Sequence, residues 1–371
     1  MIYIHVPFCK SRCIYCDFYS TIQSEDIRRK YVECICKELK NRKEYLPSLN
    51  IDTIYFGGGT PSQLTIHELH TIMSCIFHEF EVNSNAEITL EANPDDITPE
   101  FVREILHMGF NRMSLGVQSF NDDTLRLLNR RHSSEAAVKS VETIVDNGIE
   151  NVSIDLIYGL PKQSFEDFYH DLQRAFCLPI KHLSSYALSV EEGTALHRKI
   201  ETEELYLPDE DLFLKEYQAL LDMAALKGFY HYEISNFALP GYQSRHNSGY
   251  WIGKPYLGCG PGAHSYDGQN RYSNVPDLLR YINEPGNPPH EIEILDTNEH
   301  FNEFVMESLR MSSGINLHKL ESQYGSDSLK RVLAISVKHI KNGLLENTNG
   351  FLRLTRKGIF ISNDIMSDFM M

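Results

Sequence analysis

Ile2-Tyr-Ile-His-Val-Pro-Phe-Cys9-Lys-Ser-Arg-Cys13-Ile-Tyr-Cys16-Asp-Phe18 is the stretch on which the rest of the chain turns. A short apolar strand, Ile2–Val6, runs directly into a loop that carries Cys9, Cys13 and Cys16 in C-x3-C-x2-C spacing. Three thiolates on one short loop hold three corners of a cubane iron–sulfur cluster and leave the fourth iron open to a small molecule. A structural zinc site competes with this. Zinc requires four closed ligands, and His5, inside the strand, is the only nearby fourth donor.

Outward from this loop, strand-like and helix-like segments alternate. Ile51–Phe56 reads as a strand ending in Gly57-Gly-Gly-Thr-Pro61, and further strands are expected at Glu87–Ala92, Arg112–Val117, Val152–Ile157 and Leu183–Leu188. Helical spacing recurs near Pro99–His107, Ser134–Asn147 and Ser164–Phe176. Such alternation predicts βα units on a parallel sheet. Six units followed by different material predict an α/β fold with a partial (βα)6 barrel over residues 1–200; an open doubly wound sheet is the alternative. Residues 201–282 read as an extension, with a long helix (Asp209–Lys227) and a loop-rich part dense in Gly, Tyr, Asn and His. Asn283-Glu-Pro-Gly-Asn-Pro-Pro289 reads as a linker, since its prolines end any regular element. Residues 283–371 are then expected to form a small, mostly helical, winged-helix-like domain. Its helices would lie at Glu303–Met311, Leu317–Tyr324 and Leu329–Asn342, with a β-wing at Phe351–Thr355.

Composition narrows the functional classes. The chain has 371 residues, 42% hydrophobic and 23% charged, which is ordinary for a packed globular protein. Its net charge of −16 argues against nucleic acid or an anionic membrane surface as a general partner. No apolar run approaches the ~18–20 residues of a membrane helix. The first residues show no secretory signal, so the eight cysteines are expected as reduced thiols in the cytoplasm. Of these, Cys34 and Cys75 fit apolar helix positions, while Cys259 lies in a glycine loop and is expected not to be a ligand.

The cysteine loop after the first strand, with Gly57-Gly-Gly-Thr-Pro61 after the second, resembles the radical S-adenosylmethionine (SAM) superfamily. The resemblance implies a [4Fe–4S] cluster on Cys9, Cys13 and Cys16 whose unique iron chelates SAM. Both motifs fall at C-terminal strand ends, where barrel enzymes place their sites. Tyr3-Ile-His-Val-Pro-Phe-Cys9, Glu91-Ala-Asn-Pro94, Gly116-Val-Gln-Ser-Phe120, Asn129-Arg-Arg-His132 and Asp155-Leu-Ile-Tyr-Gly-Leu-Pro161 narrow the likeness to the oxygen-independent coproporphyrinogen III oxidase group. By this resemblance Tyr3, Gly58, Gly59, Thr60, Glu91, Gln118, Arg130 and Asp155 line the SAM pocket, with Tyr15, Ala187 and His264 added from their surroundings. Each charged residue among them also fits an ordinary strand-end role.

Two departures point away from the oxidases themselves. Those enzymes resemble C-x3-C-x2-C-x-C, whereas Phe18 occupies the last position here, and only eight residues precede Cys9 where the oxidases carry an N-terminal arm. Both features resemble the sister branch of haem chaperones. His246-Asn-Ser-Gly-Tyr-Trp251 matches the H-N-x-x-Y-W motif of that branch and includes the only tryptophan. The resemblance therefore implies haem as a further cofactor with His246 as its ligand, since histidine is a common axial ligand and a Tyr-Trp pair offers flat apolar surface. It also implies a haem-accepting protein that is membrane-associated, an electron donor such as flavodoxin or ferredoxin, and room for a homodimer. Oxidative decarboxylation of coproporphyrinogen III remains the alternative activity.

Overall fold

The computed structural model describes residues 1–371. β1 (Ile2–Val6) leads into the cysteine loop and α1 (Glu25–Asn41) returns the chain. The unit then repeats as β2 (Asn50–Gly58) with α2 (Ile66–Glu79), and β3 (Glu81–Ala92) with α3 (Pro99–His107). Next come β4 (Arg112–Gln118) with α4 (Asp122–Leu127) and α5 (Ser134–Asp146), and β5 (Asn151–Tyr158) with α6 (Phe165–Ala175). The sixth unit is β6 (His182–Ala187) with α7 (Ala195–Glu201) and α8 (Glu210–Leu226). These six strands pair in parallel in strict chain order. A doubly wound sheet requires the strand order to reverse. Here every crossover steps the same way, and right-handed crossovers then place the helices on one face. The architecture is the partial (βα)6 barrel.

Side-chain chemistry explains the elements. Ile4, Ile54, Leu90, Leu115, Ile154 and Leu183 are fully buried in one core with Ile35, Leu39, Ile72, Ile76, Ile105 and Phe168 from the helices. Thr65 and Ser164 open α2 and α6 with capping boxes closed by Glu68 and Asp167. These caps satisfy amide donors that the first helical turn leaves open.

Residues 201–282 add strands to both edges of the main sheet. β7 (Tyr230–Glu233) and β8 (Asn236–Ala238) join the main sheet antiparallel beside β6. After α9 (Arg245–Trp251), β9 (Leu257–Cys259) pairs in parallel with β1 at the opposite edge. Cys259 is fully buried there. β10 (His264–Tyr266), β11 (Asn270–Asn274), α10 (Leu278–Asn283) and β12 (His290–Ile294) follow, with the three strands forming a small antiparallel sheet. The proline-rich loop at 283–289 thus lies inside this sheet unit, because β12 beyond it pairs with β11.

The C-terminal unit starts instead at α11 (Thr297–Arg310). It continues through β13 (Ile315–Asn316), α12 (Leu317–Lys341), β14 (Leu345–Thr348), β15 (Phe351–Leu354), α13 (Arg356–Ile359) and α14 (Ser362–Phe369). Phe301, Val305, Leu309, Leu352 and Phe369 give it a core of its own, and β14–β15 form the expected wing. α12 consists of the two helices expected on either side of residue 325, separated by a kink at Gly325 (φ 82°). No helix is long and apolar enough to cross a membrane.

Candidate functional site

The cysteine loop is fastened on both sides at the C-terminal end of β1. Cys9 N donates to Thr21 O (3.0 Å), Ile14 N to Leu128 O (3.3 Å), and Asn129 Nδ2 to Arg12 O (2.8 Å). Cys9 Sγ lies 3.4 Å from Thr60 Oγ1, and Arg130 Nη1 donates to Cys13 Sγ at 3.3 Å. All three cysteines are free, half-buried thiols on the wall of one cavity of about 420 Å³. No three His, Cys, Asp or Glu side chains converge on a single ion position. A mononuclear zinc site needs that convergence, whereas each thiolate of a cubane ligates a different iron. His5, the one nearby fourth donor, has both ring nitrogens engaged, Nδ1 with Tyr3 Oη (3.2 Å) and Nε2 with Tyr19 O (3.0 Å).

Tyr15, Gly58, Gly59, Thr60, Glu91, Gln118, Arg130, Asp155 and Ala187 line the same cavity. The glycines are required by the chain itself. A Cβ on Gly59 would sit 2.8 Å from Val6 O and 2.9 Å from Phe8 O, while Gly59 N donates to Val6 O at 2.8 Å. Gly58 has φ 105°, and a Cβ there would lie 2.6 Å from the His5 ring. The glycine turn therefore lets β2 press against the start of the cysteine loop, and any room for a ligand follows from that.

Two half-buried carboxyls face the cavity. Burial pushes Glu91 up to about 7, opposed by the Tyr55 hydroxyl that donates to its Oε1 at 2.7 Å and by the Arg112 guanidinium. Burial also pushes Asp155 up to about 6, against hydrogen bonds from Ser184 and from Ser114 (3.3 Å). Buried carboxylates without a full counter-charge are costly, so this floor favours a cationic ligand. Arg130 also donates to Asn93 Oδ1 (2.5 Å) and to Gly116 O, and its Nε is buried without a partner.

Three expected residues lie elsewhere. Tyr3 and His264 line a second cavity, of about 620 Å³, that meets the first at Asp17 and Phe18. His246 lines neither. It is 1% exposed, its Nδ1 is 2.8 Å from Thr53 Oγ1, its Nε2 is 2.9 Å from Tyr250 Oη, and its ring stacks on Tyr55. Both ring nitrogens are thus hydrogen-bonded, Nδ1 to the Thr53 hydroxyl and Nε2 to that of Tyr250. Glu87 accepts from the amides of Arg245 and His246 (both 3.0 Å), which fixes α9 in this place.

Residues 3–175 match the Radical SAM superfamily and residues 295–361 match the HemN C-terminal domain. The chain is similar to the haem chaperone HemW of Bacillus subtilis, 33% identical over 99% of this chain and 98% of that one. It belongs to the HemW family. The HemW of Escherichia coli is 35% identical over 71% of this chain and 69% of its own length. The solved structure of Escherichia coli coproporphyrinogen III oxidase (HemN), a radical SAM enzyme, matches with TM-score 0.87 at 25% identity, covering 100% of this chain and 89% of that one.

Membership of this superfamily implies a [4Fe–4S] cluster and SAM, and the cavity suits both: three thiols on one wall, an unpaired Arg130 nitrogen, and acids in need of a cation. Arg112 was missed as a site residue. It is fully buried at the start of β4, with Nε and Nη1 unpartnered, and its field pulls down the pKa of both Glu91 and Asp155. The available signal was a charged residue opening an otherwise apolar strand. Asn93, within the quoted Glu91-Ala-Asn-Pro94 motif, and Ser114, a single polar residue inside β4, also line the cavity and were not singled out.

Proposed function

We propose that this protein is a haem chaperone, which binds haem and passes it to a haem-accepting protein, using a cluster- and SAM-loaded cavity. The observation that carries the proposal is the end-to-end likeness to a haem chaperone, which spans both units of the fold. In this reading Cys9, Cys13 and Cys16 hold the cluster. Gly58, Gly59, Thr60, Gln118, Arg130 and Ala187 shape the SAM pocket beside Tyr15, and Glu91 and Asp155 supply negative charge opposite the SAM cation. When bound, the cluster supplies an electron to SAM. Arg130 bridges the cluster loop to β3 and β4, and so holds Cys13 in register with the pocket. The flanking proposals are a cytoplasmic location, a membrane-associated acceptor, a flavodoxin or ferredoxin donor, and assembly as a homodimer.

The second reading is an oxygen-independent coproporphyrinogen III oxidase, favoured by the fold-level match to HemN. Phe18, where the oxidases carry a further cysteine, stands against it; it is 63% exposed between the two cavities. The experiment is anaerobic. Cluster-loaded protein is mixed with haem and then with an apo haem protein, and in parallel with coproporphyrinogen III, SAM and a reductant. Transfer of the Soret band to the acceptor without protoporphyrinogen formation is the expected result. Decarboxylation without haem transfer would establish the oxidase instead.

A further inference from the structure

The small antiparallel sheet ends in an edge that nothing in the fold covers. Its strands lie in the order β10-β11-β12. β12, His290-Glu-Ile-Glu-Ile294, is exposed at every residue, Ile292 at 63% and Ile294 at 80%. A bare edge of this kind is a template for pairing with another chain. We propose that the outer edge of β12 takes up an extended segment of a partner protein, one that alternates basic and apolar residues, as a fourth strand of this sheet.

Hydrogen-bond parity identifies the free backbone groups. Val275 N donates to Pro289 O at 2.9 Å, one step beyond the Asn274–His290 pair. Bonded and non-bonded pairs alternate along an antiparallel ladder. Glu291 and Glu293 therefore bond back to Ser273 and Arg271, while Ile292 and Ile294 turn their N–H and C=O outward. The same parity holds on the other side of β11, where Asn274 N donates to Ala263 O at 2.9 Å. The edge is held in shape at both ends. His290 Nδ1 lies 2.8 Å from Pro288 O and its ring stacks on Tyr272. Beyond Ile294, the capping box of Asp296 and Glu299 fixes the start of α11. A preformed strand has little ordering left to lose on binding.

Charge selects the occupant. Cross-strand partners share a face, so Glu291 and Glu293 stand with Ser273 and Arg271, and Ile292 and Ile294 stand on the opposite face. Glu291 has only the neutral Ser273 across from it, and the Arg271 guanidinium across from Glu293 is tied to Glu303 at 2.6 Å. An added antiparallel strand meets Glu291 and Glu293 in non-hydrogen-bonded pairs, where Cα atoms approach to about 4.5 Å and side chains lie closest. Lysine or arginine at those places compensates both acids, and the alternate apolar residues extend the face of Ile292 and Ile294. A second copy of this chain fits badly. Two-fold antiparallel pairing sets Glu291 against Glu291 or Glu293 of the other copy, and like charges directly opposite are destabilising. The net charge of −16 likewise favours a basic partner.

The test uses full-length, cluster-reconstituted protein under anaerobic conditions. The probe is a short fluorescein-labelled peptide alternating lysine and valine, and its control has the same composition in two blocks. Fluorescence anisotropy should show saturable binding of the alternating peptide and at least about tenfold weaker binding of the block peptide. Hydrogen exchange should slow at β12 in the presence of the alternating peptide. Ile292→Pro removes an outward N–H and no bond to β11, so it should weaken the peptide by about tenfold or more and leave the melting temperature nearly unchanged. The double variant Glu291→Lys, Glu293→Lys should lose the lysine peptide and bind instead one that alternates glutamate and valine, an exchange that a folding defect would not produce. Absence of saturable binding, equal binding of the alternating and block peptides, or unchanged peptide preference in the double variant would overturn the proposal. A wild-type dimer that Ile292→Pro dissolves would also overturn it, because the edge would then belong to a second copy.

Discussion

At Glu91 a half-buried carboxyl accepts from the Tyr55 hydroxyl at 2.7 Å and lies within the field of Arg112. Its pKa is about 7 in the folded chain against 4.5 in the unfolded one, so folding takes up a proton between those values. Stability due to this group is therefore highest below pH 4.5 and falls as pH rises to 7. Glu91→Gln should gain on the ligand-free wild type across that window, by about 2–3 kcal/mol at pH 8 relative to pH 4.5. Denaturant unfolding at a series of pH values measures the difference, and a constant gap would refute the titration. Saturating SAM should narrow the gap, because the ligand cation meets the ionised carboxylate. The importance of Glu91 was legible in a motif, but its raised pKa was not, since burial depends on residues distant in the chain. His246 shows the same limit more sharply. Its motif was legible, yet Thr53 and Tyr250 occupy both its nitrogens, and Thr53 lies on another strand.

Among the elements, the six βα units were legible because each strand is an apolar run and each following helix has an apolar stripe. β7, β8 and β9 were not: at three or four residues they are too short to show a period. Residues 201–282 therefore read only as an extension, without the strands that join them to the two sheet edges. The linker at 283–289 was legible as a chain break, but the pairing of β12 with β11 across it was not. The glycine turn after β2 was legible as a motif, although its packing reason is visible only in the fold. Gly59→Ala should cost about 1–3 kcal/mol, since its Cβ would meet the Val6 and Phe8 carbonyls at under 3 Å. Because those carbonyls belong to the start of the cysteine loop, iron incorporation should fall with it. A variant with wild-type melting temperature and full iron content would contradict this packing.

Over the whole molecule, the C-terminal unit acts as a wall of the second cavity, to which α11 contributes Met306 and Glu307. It is clamped through Arg310. The guanidinium lies 4.5 Å from the Trp251 ring centre and 3.6 Å from the buried Glu233 carboxylate, and its carbonyl accepts from Ile234 N at 3.1 Å. Arg310→Ala leaves Glu233 poorly compensated and should cost about 1–3 kcal/mol. Hydrogen exchange should quicken in α11, while SAM affinity stays unchanged, since no residue of that unit lines the first cavity. Weakened SAM binding in Arg310→Ala would contradict the separation of the two cavities. The most direct measurement of the central account is the iron, acid-labile sulfide and haem content of one anaerobically reconstituted sample. The wild type should carry about four cluster irons, four sulfides and one haem per chain, and Cys13→Ala should lose the sulfide and cluster iron while keeping the haem. A chain that binds zinc without sulfide, or a Cys13→Ala variant that retains its full cluster, would contradict it.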